Sequence, residues 1–582
     1  MRYAYLVIES LNRINDQSAD ATASLDLRNM PLRWRKGSSC IYASADTPVI
    51  EIYDNGTLIG DVYTRTGERL LRGFQFPALA STAALRDYIL QNCWGDYILA
   101  QSDPEQPSSL DVLRSPSHAC ELPCFYSISD SHGFVTSDIS LASGAGLYRR
   151  RVDYQSITHR LIYPSIKLSS SGLEGITELL PGHTLRLKHE GLRLTQNWNP
   201  WAFVTPELRY ADMEEAARAV RNAVAMVIRA LADRDKIVLL ELSGGLDSSI
   251  VAACLGLSTA EMHCMTITSS FPGTDERDYA AAVASTLNAG LSEMELQLAD
   301  AAFDFPIPSE LTSPAVGPLQ YAVDRLMQRS ASRLGVNSAF SGAGGDTVFG
   351  FLTSAAPAAD AFLAAGCRTG MRAIHDLAAF HQCTYWKAGR LALGKMLRGD
   401  PELIVDRSFT HPRLVTPAPQ LHPWMVSPPR ALPADKHRIH ELSGTQSFRD
   451  TCLRSFVRPL RMPLLSQPVI EACLRAPSWM WFAGGQNRAV ARKAFSDILP
   501  RGVLRRKSKG TMTAYLGALH RRKKREIIHF LVDGQLREEG LLDADALLRL
   551  DSSDQSEDEP TFMRLFHLCI LENWVRQQAR CA

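Results

Sequence analysis

The sequence lacks any apolar run close to the roughly 20 residues that a membrane-spanning helix needs. It also lacks an excess of either charge, because 63 Lys and Arg are balanced by 62 Asp and Glu, for a formal net charge of +1. Such a chain has no basic surface for nucleic acid or for an anionic membrane. We therefore expect neither nucleic acid nor a membrane among its partners.

Paired cysteine motifs are also missing. The 12 Cys are scattered, and Cys120 and Cys124 have no second pair or His cluster to complete a zinc site. Reduced thiols in the cytoplasm are the expected state. No internal repeat is present.

A length of 582 residues predicts two or more domains. Short alternating segments with turn signals, such as Val49–Tyr53 followed by Asn55-Gly56, predict a β-rich domain over residues 1–205. Strands and helices alternate in residues 206–582, which indicates a parallel sheet covered by helices, with mostly helical chain after 356. The expected elements are helices 213–231, 248–257, 277–288 and 318–334, and strands 236–242, 262–269 and 337–341.

One motif joins the first of these strands to its helix. Residues 241–249 read ELSGGLDSS and lie between two apolar runs, which predicts a strand, a glycine turn and a helix. The motif is not the GxxxxGK[ST] loop of P-loop NTPases. It resembles the SGGxDS loop of ATP pyrophosphatases, which cleave ATP to AMP and pyrophosphate.

The residues of this turn suit a nucleotide. The backbone N–H groups of Ser243, Gly244 and Gly245, at a helix N-terminus, form a cradle for phosphate oxygens, and Ser248 adds a hydroxyl donor. Asp247 would repel a phosphate, so a carboxylate in this cradle indicates a Mg²⁺ site.

A second loop follows about 100 residues later. Residues 338–350 read SAFSGAGGDTVFG, which again predicts a strand, the turn Ser341-Gly342 and an acidic residue, Asp346. Ligands of open parallel sheets bind at the carboxyl ends of the strands. Asp247 and Asp346 are therefore predicted to hold the same Mg²⁺.

The two loops together resemble the synthetase domain of the asparagine synthetase family, and further segments extend the resemblance to almost the whole chain. These segments are Trp94–Tyr97, Phe134–Asp138, Glu178–His183, Pro272–Tyr279, Arg461–Pro468, Asp497–Pro500 and Arg505–Gly510. The resemblance implies a multidomain α/β protein. Its N-terminal part would be a degenerate, glutaminase-like α+β sandwich of the N-terminal-nucleophile type. Its C-terminal part would be an α/β PP-loop synthetase domain, similar to adenine nucleotide α-hydrolases, with extra helices.

Two departures from the family pattern indicate which members of the family the chain resembles most. The family's glutaminases use a cysteine at position 2 as nucleophile, whereas this chain has Arg2 and no cysteine before Cys40. Ala343 stands where asparagine synthetases carry Glu and β-lactam synthetases carry Tyr, and alanine cannot act as a base or a side-chain hydrogen-bond donor. We expect residues 1–205 to be a scaffold without glutaminase activity.

Among relatives without that cysteine, the form of the second loop, Pro463–Pro468 and Lys507–Gly510 are most similar to the lasso peptide cyclases. This resemblance implies a macrolactam synthetase that uses ATP and Mg²⁺. It would adenylate an Asp or Glu side chain of a precursor core peptide and close it onto the peptide's N-terminal amine, releasing AMP and pyrophosphate. The implied partners are the precursor peptide, a leader-peptide-binding protein and a leader peptidase.

Two alternatives stay open. The chain could be a β-lactam synthetase-like or asparagine-synthetase-like amide ligase for a small amino acid. It could also be an inactive scaffold, although Asp247, Asp346 and Lys507 argue against that.

The resemblance also assigns roles to single residues. Lys507 is expected to contact the α-phosphate and the tetrahedral intermediate, which suits a compact ammonium group; Lys509 is the second choice, and a solvated basic surface is the structural alternative. Leu242 and Ile267 are expected to line the adenine pocket, unless they belong to the core. The expected catalytic residues are Lys507, Asp247 and Asp346. The expected nucleotide-binding residues are Leu242, Ser243, Gly244, Gly245, Asp247, Ser248, Ile267, Ser341, Gly342 and Lys507.

No base is evident for the amine. A peptide α-amine has a pKa of roughly 7.7–8.0, against about 10.4 for a lysine, so a useful fraction of it, roughly a tenth, is already neutral near pH 7. An enzymic base is therefore less necessary. Glu276, His375 and His381 are loose candidates.

The absence of a cysteine near the N-terminus generates a direct prediction. We expect the purified protein to release no ammonia from glutamine, because no thiol is available at position 2 to attack the amide. Glutamate formation is measured in the presence and absence of ATP. Turnover of glutamine that disappears after thiol alkylation would contradict the prediction.

Overall fold

The computed structural model describes residues 3–10, 30–52, 56–77, 79, 81–103, 106–118, 121–129, 132–188, 191–351, 354–397, 403–506, 510–552 and 558–581. Over these ranges it is a mixed α/β structure with several sheets. Within the same ranges, no helix combines the length and the apolar character needed to cross a bilayer.

The β-rich half forms two six-stranded antiparallel sheets. Its strands are β1 Tyr5–Ser10, β2 Leu32–Lys36, β3 Ser39–Ala43, β4 Val49–Ile52, β5 Gly56–Thr64, β6 Cys93–Asp103, β7 Gln106–Arg114, β8 Phe125–Ile128, β9 His132–Thr136, β10 Thr177–Glu178, β11 His183–Lys188 and β12 Gly191–Gln196. One sheet has the order β10-β8-β9-β1-β3-β2 and the other β12-β11-β7-β6-β5-β4. The helices of this half are α1 Thr82–Asn92, α2 Ile139–Gly144 and α3 Tyr154–Ile162.

Strand β1 shows why its sequence is a continuous apolar run. Tyr5 and Val7 lie in the core between the two sheets, whereas Leu6 and Ile8 lie in a second core on the outer face of the first sheet. Successive side chains of a strand point to opposite faces. Because both faces are buried, the alternation of polar and apolar residues disappears.

The second half contains a five-stranded parallel sheet of order β15-β14-β13-β16-β17. Its strands are β13 Ile237–Glu241, β14 Glu261–Thr268, β15 Gly290–Glu295, β16 Ser338–Phe340 and β17 Leu460–Arg461. The three predicted strands are thus confirmed as β13, β14 and β16. The sequence analysis does not anticipate β15, a largely exposed edge strand, or β17, which has only two residues.

The predicted helices of this half are confirmed to within three residues at each end. They are α4 Met213–Ala232, α5 Leu246–Leu255, α6 Arg277–Thr286 and α7 Pro318–Arg333.

The chain after 356 is mostly helical, as predicted. Its elements, together with α8 just before it, are α8 Gly345–Val348, α9 Ala356–His381 with a break at Gly366, α10 Tyr385–Leu397, α11 Pro433–Gly444, α12 Gln467–Arg475, α13 Ser478–Trp481, the hairpin β18 Phe482–Ala483 and β19 Gln486–Asn487, α14 Ala489–Ala494, α15 Arg501–Arg505, α16 Thr513–Val532, α17 Gln535–Glu538, α18 Ala544–Asp551 and α19 Glu559–Cys581.

Two hydrophobic cores contain residues from both sides of the predicted domain boundary at 205/206. Leu58 of β5 and Leu240 of β13 belong to one core, whereas Leu6 of β1 and Leu239 of β13 belong to another. The parallel sheet therefore lies between two cores that the β-rich half also helps to build. Domains of 1–205 and 206–582 stay a prediction.

A buried ion cluster joins the two halves. Arg461 of β17, with 3% of its surface exposed, contacts Glu121 through Nη1 at 2.8 Å and Asp235 through Nε at 3.0 Å. Although burial opposes its charge, Glu121 and Asp235 hold the pKa of Arg461 above its usual value. A buried charge with two partners costs much to unpair.

We expect Arg461→Met to lower the free energy of unfolding by about 3–5 kcal/mol, because Glu121 and Asp235 would remain buried without their partner. Chemical denaturation followed by circular dichroism measures the change. The control is Arg72→Ala, which removes an exposed pair with Glu51 and is expected to have little effect. Equal stability of the Arg461→Met and wild-type proteins would contradict the assignment.

Candidate active site

The first glycine loop links β13 to α5 in a conformation that requires glycine. Gly244 has φ +66°, and a Cβ there would lie 2.4 Å from the Cβ of Tyr279. The hydroxyl of Ser243 accepts a hydrogen bond from the N–H of Gly245 at 3.3 Å, and the hydroxyl of Ser248 donates to the carbonyl of Gly245 at 3.3 Å. The two serines therefore brace the turn, and Asp247 follows in the first turn of α5.

The second loop links β16 to α8 and packs directly on the first. A Cβ on Gly342 would lie 2.6 Å from the backbone nitrogen of Ser248, and one on Gly345 would lie 2.3 Å from Cγ of Asp247. Real Cβ atoms do not approach so closely, so only glycine permits this contact. Strands β13 and β16 are hydrogen-bonded neighbours, and their two loops meet at the same edge of the sheet.

The contact between the loops places two carboxylates together. Nη1 of Arg488 lies 3.1 and 3.0 Å from the two carboxylate oxygens of Asp247, and 2.8 Å from Oδ1 of Asp346. Two like charges at this separation need a cation between them. Arg488 supplies this cation, and it is not among the site residues predicted from the sequence.

Arg488 is held in an unusual state. Only 8% of its surface is exposed, its φ is +58°, and its Nε has no hydrogen-bond partner among the residues that the structure describes. Its guanidinium lies 5.2 Å from the ring centroid of Phe351. A non-glycine residue held in the left-handed region is a feature that recurs at functional sites.

A second arginine supports the chain that leads to residue 507. Arg492 donates to the backbone carbonyls of Asn487, Val503 and Arg506 at 2.9, 3.3 and 3.1 Å. Burial, together with the positive charge of Arg488, lowers the pKa of Arg492 to about 10. Arg492 thus joins the start of α14 to the end of α15.

Glu276 fastens the chain on both sides of residues 507–509. Its Oε1 accepts from Nη2 of Arg506 at 2.5 Å and from the backbone N–H of Gly510 at 3.0 Å. Arg506 also donates to the carbonyl of Gly244 at 3.3 Å and stacks at 4.0 Å on the ring of Tyr279. Arg506 is therefore part of a buried network, not of a solvated basic surface.

The loops and arginines border a cavity of about 440 Å³, within the size range of small-molecule sites. It also includes Ala343 and the rings of Phe351, Phe380 and Phe448. The cavity brings together most of the predicted site residues, which are Ser243, Gly245, Asp247, Ser248, Ser341, Gly342 and Asp346.

Other predicted residues lie elsewhere. Gly244 packs behind the loop against α6, and Leu242 is fully buried in one core, whereas Ile267 packs against the other core. Neither Leu242 nor Ile267 lines the cavity, so an adenine-binding role for them stays a prediction. Lys507 and Lys509 lie outside the described residues.

The loose candidates for a base are also placed. Glu276 is engaged by Arg506 and Gly510, as described above. His375 and His381 lie on the exposed side of α9, where they stack on Tyr385 and Phe482, and they do not line the cavity. Ala343 contributes only a methyl group to the cavity.

The sequence does contain a signal that leads to the missed residues. Arg488 and Arg492 are four residues apart, a spacing that would put both on one face of a helix, although Arg488 precedes the first residue of α14 and has a left-handed backbone. Their cluster with the carboxylates cannot be seen from the sequence, because Arg488 lies 241 residues after Asp247.

The donor set fits Mg²⁺. This ion takes one or two protein carboxylates and completes its shell with water and substrate phosphates. Asp247 and Asp346 offer two carboxylates that converge on one point beside the loop N–H groups. Both aspartates have further interactions in addition to those with Arg488.

Comparisons with known proteins now bear on this geometry. Residues 215–576 match the family model described as asparagine synthase. No curated protein matches the chain.

Two solved structures show a weak likeness. The allosteric regulatory enzyme of purine biosynthesis is 9% identical, with 50% of this chain and 74% of that chain covered and a TM-score of 0.20. The glutamine phosphoribosylpyrophosphate amidotransferase from B. subtilis, complexed with ADP and GMP, is 10% identical, with 58% and 90% covered and a TM-score of 0.22. Scores this low support no conclusion about this chain.

The close approach of the loops generates a prediction. We expect Gly345→Ala to lower the free energy of unfolding by about 1–3 kcal/mol, because the new methyl group would overlap Asp247. The control is Gly502→Ala in α15, where a Cβ meets open space and alanine favours the helix by up to about 1 kcal/mol. Thermal and chemical unfolding measure both variants. Equal stability of the two would contradict the packing described here.

Proposed function

The chain belongs to the asparagine synthase family, and from this premise we propose that it closes a macrolactam ring in a lasso peptide. The family match supports an ATP-dependent amide-bond ligase in general, and the peptide substrate is the finer proposal. A side-chain carboxylate of Asp or Glu in a precursor core peptide would be adenylated and then joined to the N-terminal amine of the same peptide.

One observation carries this proposal. Asp247 and Asp346 converge from two neighbouring loops on a single cavity that also contains Ala343. The carboxylates and the glycine loops suit the phosphates of ATP, whereas the small side chain of Ala343 leaves room beside them. The rings of Phe351, Phe380 and Phe448 add an apolar part that suits a peptide better than a small charged amino acid.

In the first step, an oxygen of the peptide carboxylate attacks the α-phosphorus of ATP. The bond from that phosphorus to its bridging oxygen breaks, and pyrophosphate leaves with the electron pair. The N-terminus of α5 would orient the phosphates through its N–H groups, whereas the N–H groups of Ser243 and Gly245 donate to the hydroxyls of Ser248 and Ser243. Asp247 and Asp346 would hold Mg²⁺, which neutralises charge on the phosphates when bound.

In the second step, the N-terminal amine attacks the acyl carbon, and AMP leaves with the electrons of the carbon–oxygen bond. The nitrogen then loses its extra proton. Because a peptide α-amine titrates near pH 7.7–8.0, the attacking form is already present in quantity at neutral pH. The reaction therefore tolerates the methyl group of Ala343 at a position where a base or phenol would otherwise assist. Lys507 is proposed to stabilise the charge of both transition states.

The proposal extends to the organisation of the protein. Residues 1–205 would be a degenerate glutaminase-like domain that serves as a scaffold, and residues 206–582 a synthetase domain of the PP-loop type. The enzyme would act in the cytoplasm together with a leader-peptide-binding protein and a leader peptidase, because the acceptor amine must first be freed by cleavage.

The proposal predicts the products. Incubation of the protein with ATP, Mg²⁺ and a leaderless core peptide is expected to remove one water from the peptide and to form one AMP and one pyrophosphate per ring. Mass spectrometry of the peptide and chromatography of the nucleotides measure these products. AMP formed only with a free amino acid, while the peptide mass stays unchanged, would favour the small-substrate amide ligase.

Two variants test the assignment of the carboxylate. We expect Asp247→Ala to lose AMP formation by at least about a hundredfold, since a preorganised charge at the reacting phosphate is typically worth that much. The control is Asp275→Ala, which removes an exposed carboxylate in the loop after β14 that pairs with Arg277. Wild-type AMP formation by Asp247→Ala would refute the metal assignment.

A further inference from the structure

The guanidinium of Arg488 lies where the two carboxylates would share a cation. One nitrogen, Nη1, is within 3.1 Å of oxygens from both Asp247 and Asp346. Mg²⁺ binds carboxylate oxygens at 2.0–2.1 Å and carries two charges. The same oxygens cannot hold this ion while the guanidinium keeps its place, both because the space is shared and because the two cations repel each other.

The rest of Arg488 indicates a second position for its side chain. Its Nε is buried without a hydrogen-bond partner among the described residues, although the side chain borders the cavity. A guanidinium has five N–H donors in a planar fork that matches the oxygens of a phosphate. The first residues of α5, whose N–H groups would hold a phosphate, border the same cavity. A phosphate group bound there would offer Arg488 the acceptor it lacks.

The backbone conformation of Arg488 also supports a second position for its side chain. Arg488 has φ +58° immediately before the first residue of α14, and its own N–H donates to the side chain of Asn487 at 3.1 Å. Arginine adopts this conformation at an energetic cost. In this backbone conformation, the side chain of Arg488 extends from the start of α14 toward the two carboxylates.

We propose that Arg488 is a placeholder for the metal ion. In the protein without nucleotide, its guanidinium offsets part of the negative charge of Asp247 and Asp346 and keeps them together. When ATP enters with its metal, Arg488 leaves the carboxylates and donates to a phosphate oxygen. The phosphate half of this inference rests on the proposed function, whereas the competition with the metal does not.

The placeholder has a consequence for binding. A metal ion without nucleotide must displace the guanidinium of Arg488 from the two carboxylates, and the guanidinium gains no new partner. The free ion therefore binds weakly. Metal that arrives with a triphosphate gives Arg488 a new partner, so the complex binds well. Arg488 would therefore make the site select the metal–nucleotide complex over the free ion.

Manganese provides the test, because its free ion is measured directly by electron paramagnetic resonance. For the protein without nucleotide, we expect Arg488→Gln to bind Mn²⁺ at least about tenfold more tightly than the wild type, because a unit positive charge within about 4 Å of a divalent ion repels it by more than this factor even in bulk water. Arg488→Lys keeps the charge and is expected to bind as weakly as the wild type.

Two controls and one further neutral variant make the result specific. Arg501→Gln removes an exposed cation of α15 that does not border the cavity, and it is expected to leave the affinity for Mn²⁺ unchanged. Adding Asp346→Asn to Arg488→Gln is expected to abolish the gain. Arg488→Met is a second neutral variant, used if the glutamine variant does not fold. Unchanged affinity for Mn²⁺ in the neutral variants would overturn the proposal.

The phosphate half is measured separately by calorimetry with Mn–ATP and no peptide. The gain in affinity caused by Arg488→Gln is expected to be at least about fivefold smaller for Mn–ATP than for free Mn²⁺, since the variant loses a charge-assisted hydrogen bond to the phosphate. An equal gain for free Mn²⁺ and for Mn–ATP would refute a phosphate contact. If the manganese measurements give the expected changes but no peptide is cyclised, the proposed peptide substrate is wrong. The role of Arg488 as a placeholder for the metal ion is then still supported.

Discussion

Two glycine loops meet so closely at the carboxyl ends of β13 and β16 that no Cβ fits between them, and the rest of the site depends on this contact. Gly342 lies against the backbone of Ser248, and Gly345 lies against the side chain of Asp247. Any larger residue at either position would separate the loops. The contact brings Asp247 and Asp346 within reach of one cation, which is the central electrostatic fact of the cavity.

This contact is stable because the strands that carry it are fixed from both sides. Successive residues of β13 alternate between two hydrophobic cores, with Leu240 in one and Leu239 in the other. The β-rich half supplies strands to both cores, and Arg461 ties the two halves through Glu121 and Asp235. The β-rich half therefore supports the site physically, a role that needs no catalytic cysteine.

The charges around the cavity form one connected system. Asp247 and Asp346 need a cation, Arg488 provides it, and Arg492 beside it is occupied with backbone carbonyls of the following segment. Glu276 accepts hydrogen bonds from Arg506 and Gly510, which lie on the two sides of residues 507–509. In this arrangement Arg492 and Glu276 hold the backbone around the cavity in place before any ligand arrives, whereas the proposed role of Arg488 requires its side chain to move.

Much of the fold could be predicted because it is encoded locally. Helix α4 follows from apolar residues at intervals of three and four, and β13, β14 and β16 follow from apolar runs next to glycine turns. Strands β15 and β17 lack such a signal, since one is an exposed edge and the other has two residues whose pairing partner, β16, lies more than 100 residues earlier in the chain.

The candidate site likewise has a part that is encoded locally and a part that depends on residues far apart in the chain. Most residues of the two loops were predictable, because each loop is a contiguous motif whose backbone conformation requires its glycines. Leu242 shows the limit of this reasoning, since an apolar residue at a strand end can line a pocket or fill the core, and the structure places it in the core.

By itself, the sequence determined the two strand–turn–helix units, their glycines and their acidic residues, because these features depend on neighbours along the chain. Only the tertiary structure decided that Arg488 stands between Asp247 and Asp346, that Glu276 fastens both sides of residues 507–509, and that both hydrophobic cores combine the two halves. These relations join residues far apart in sequence, and their energies come from burial, close packing and charge at distances of a few ångströms, which no local pattern records.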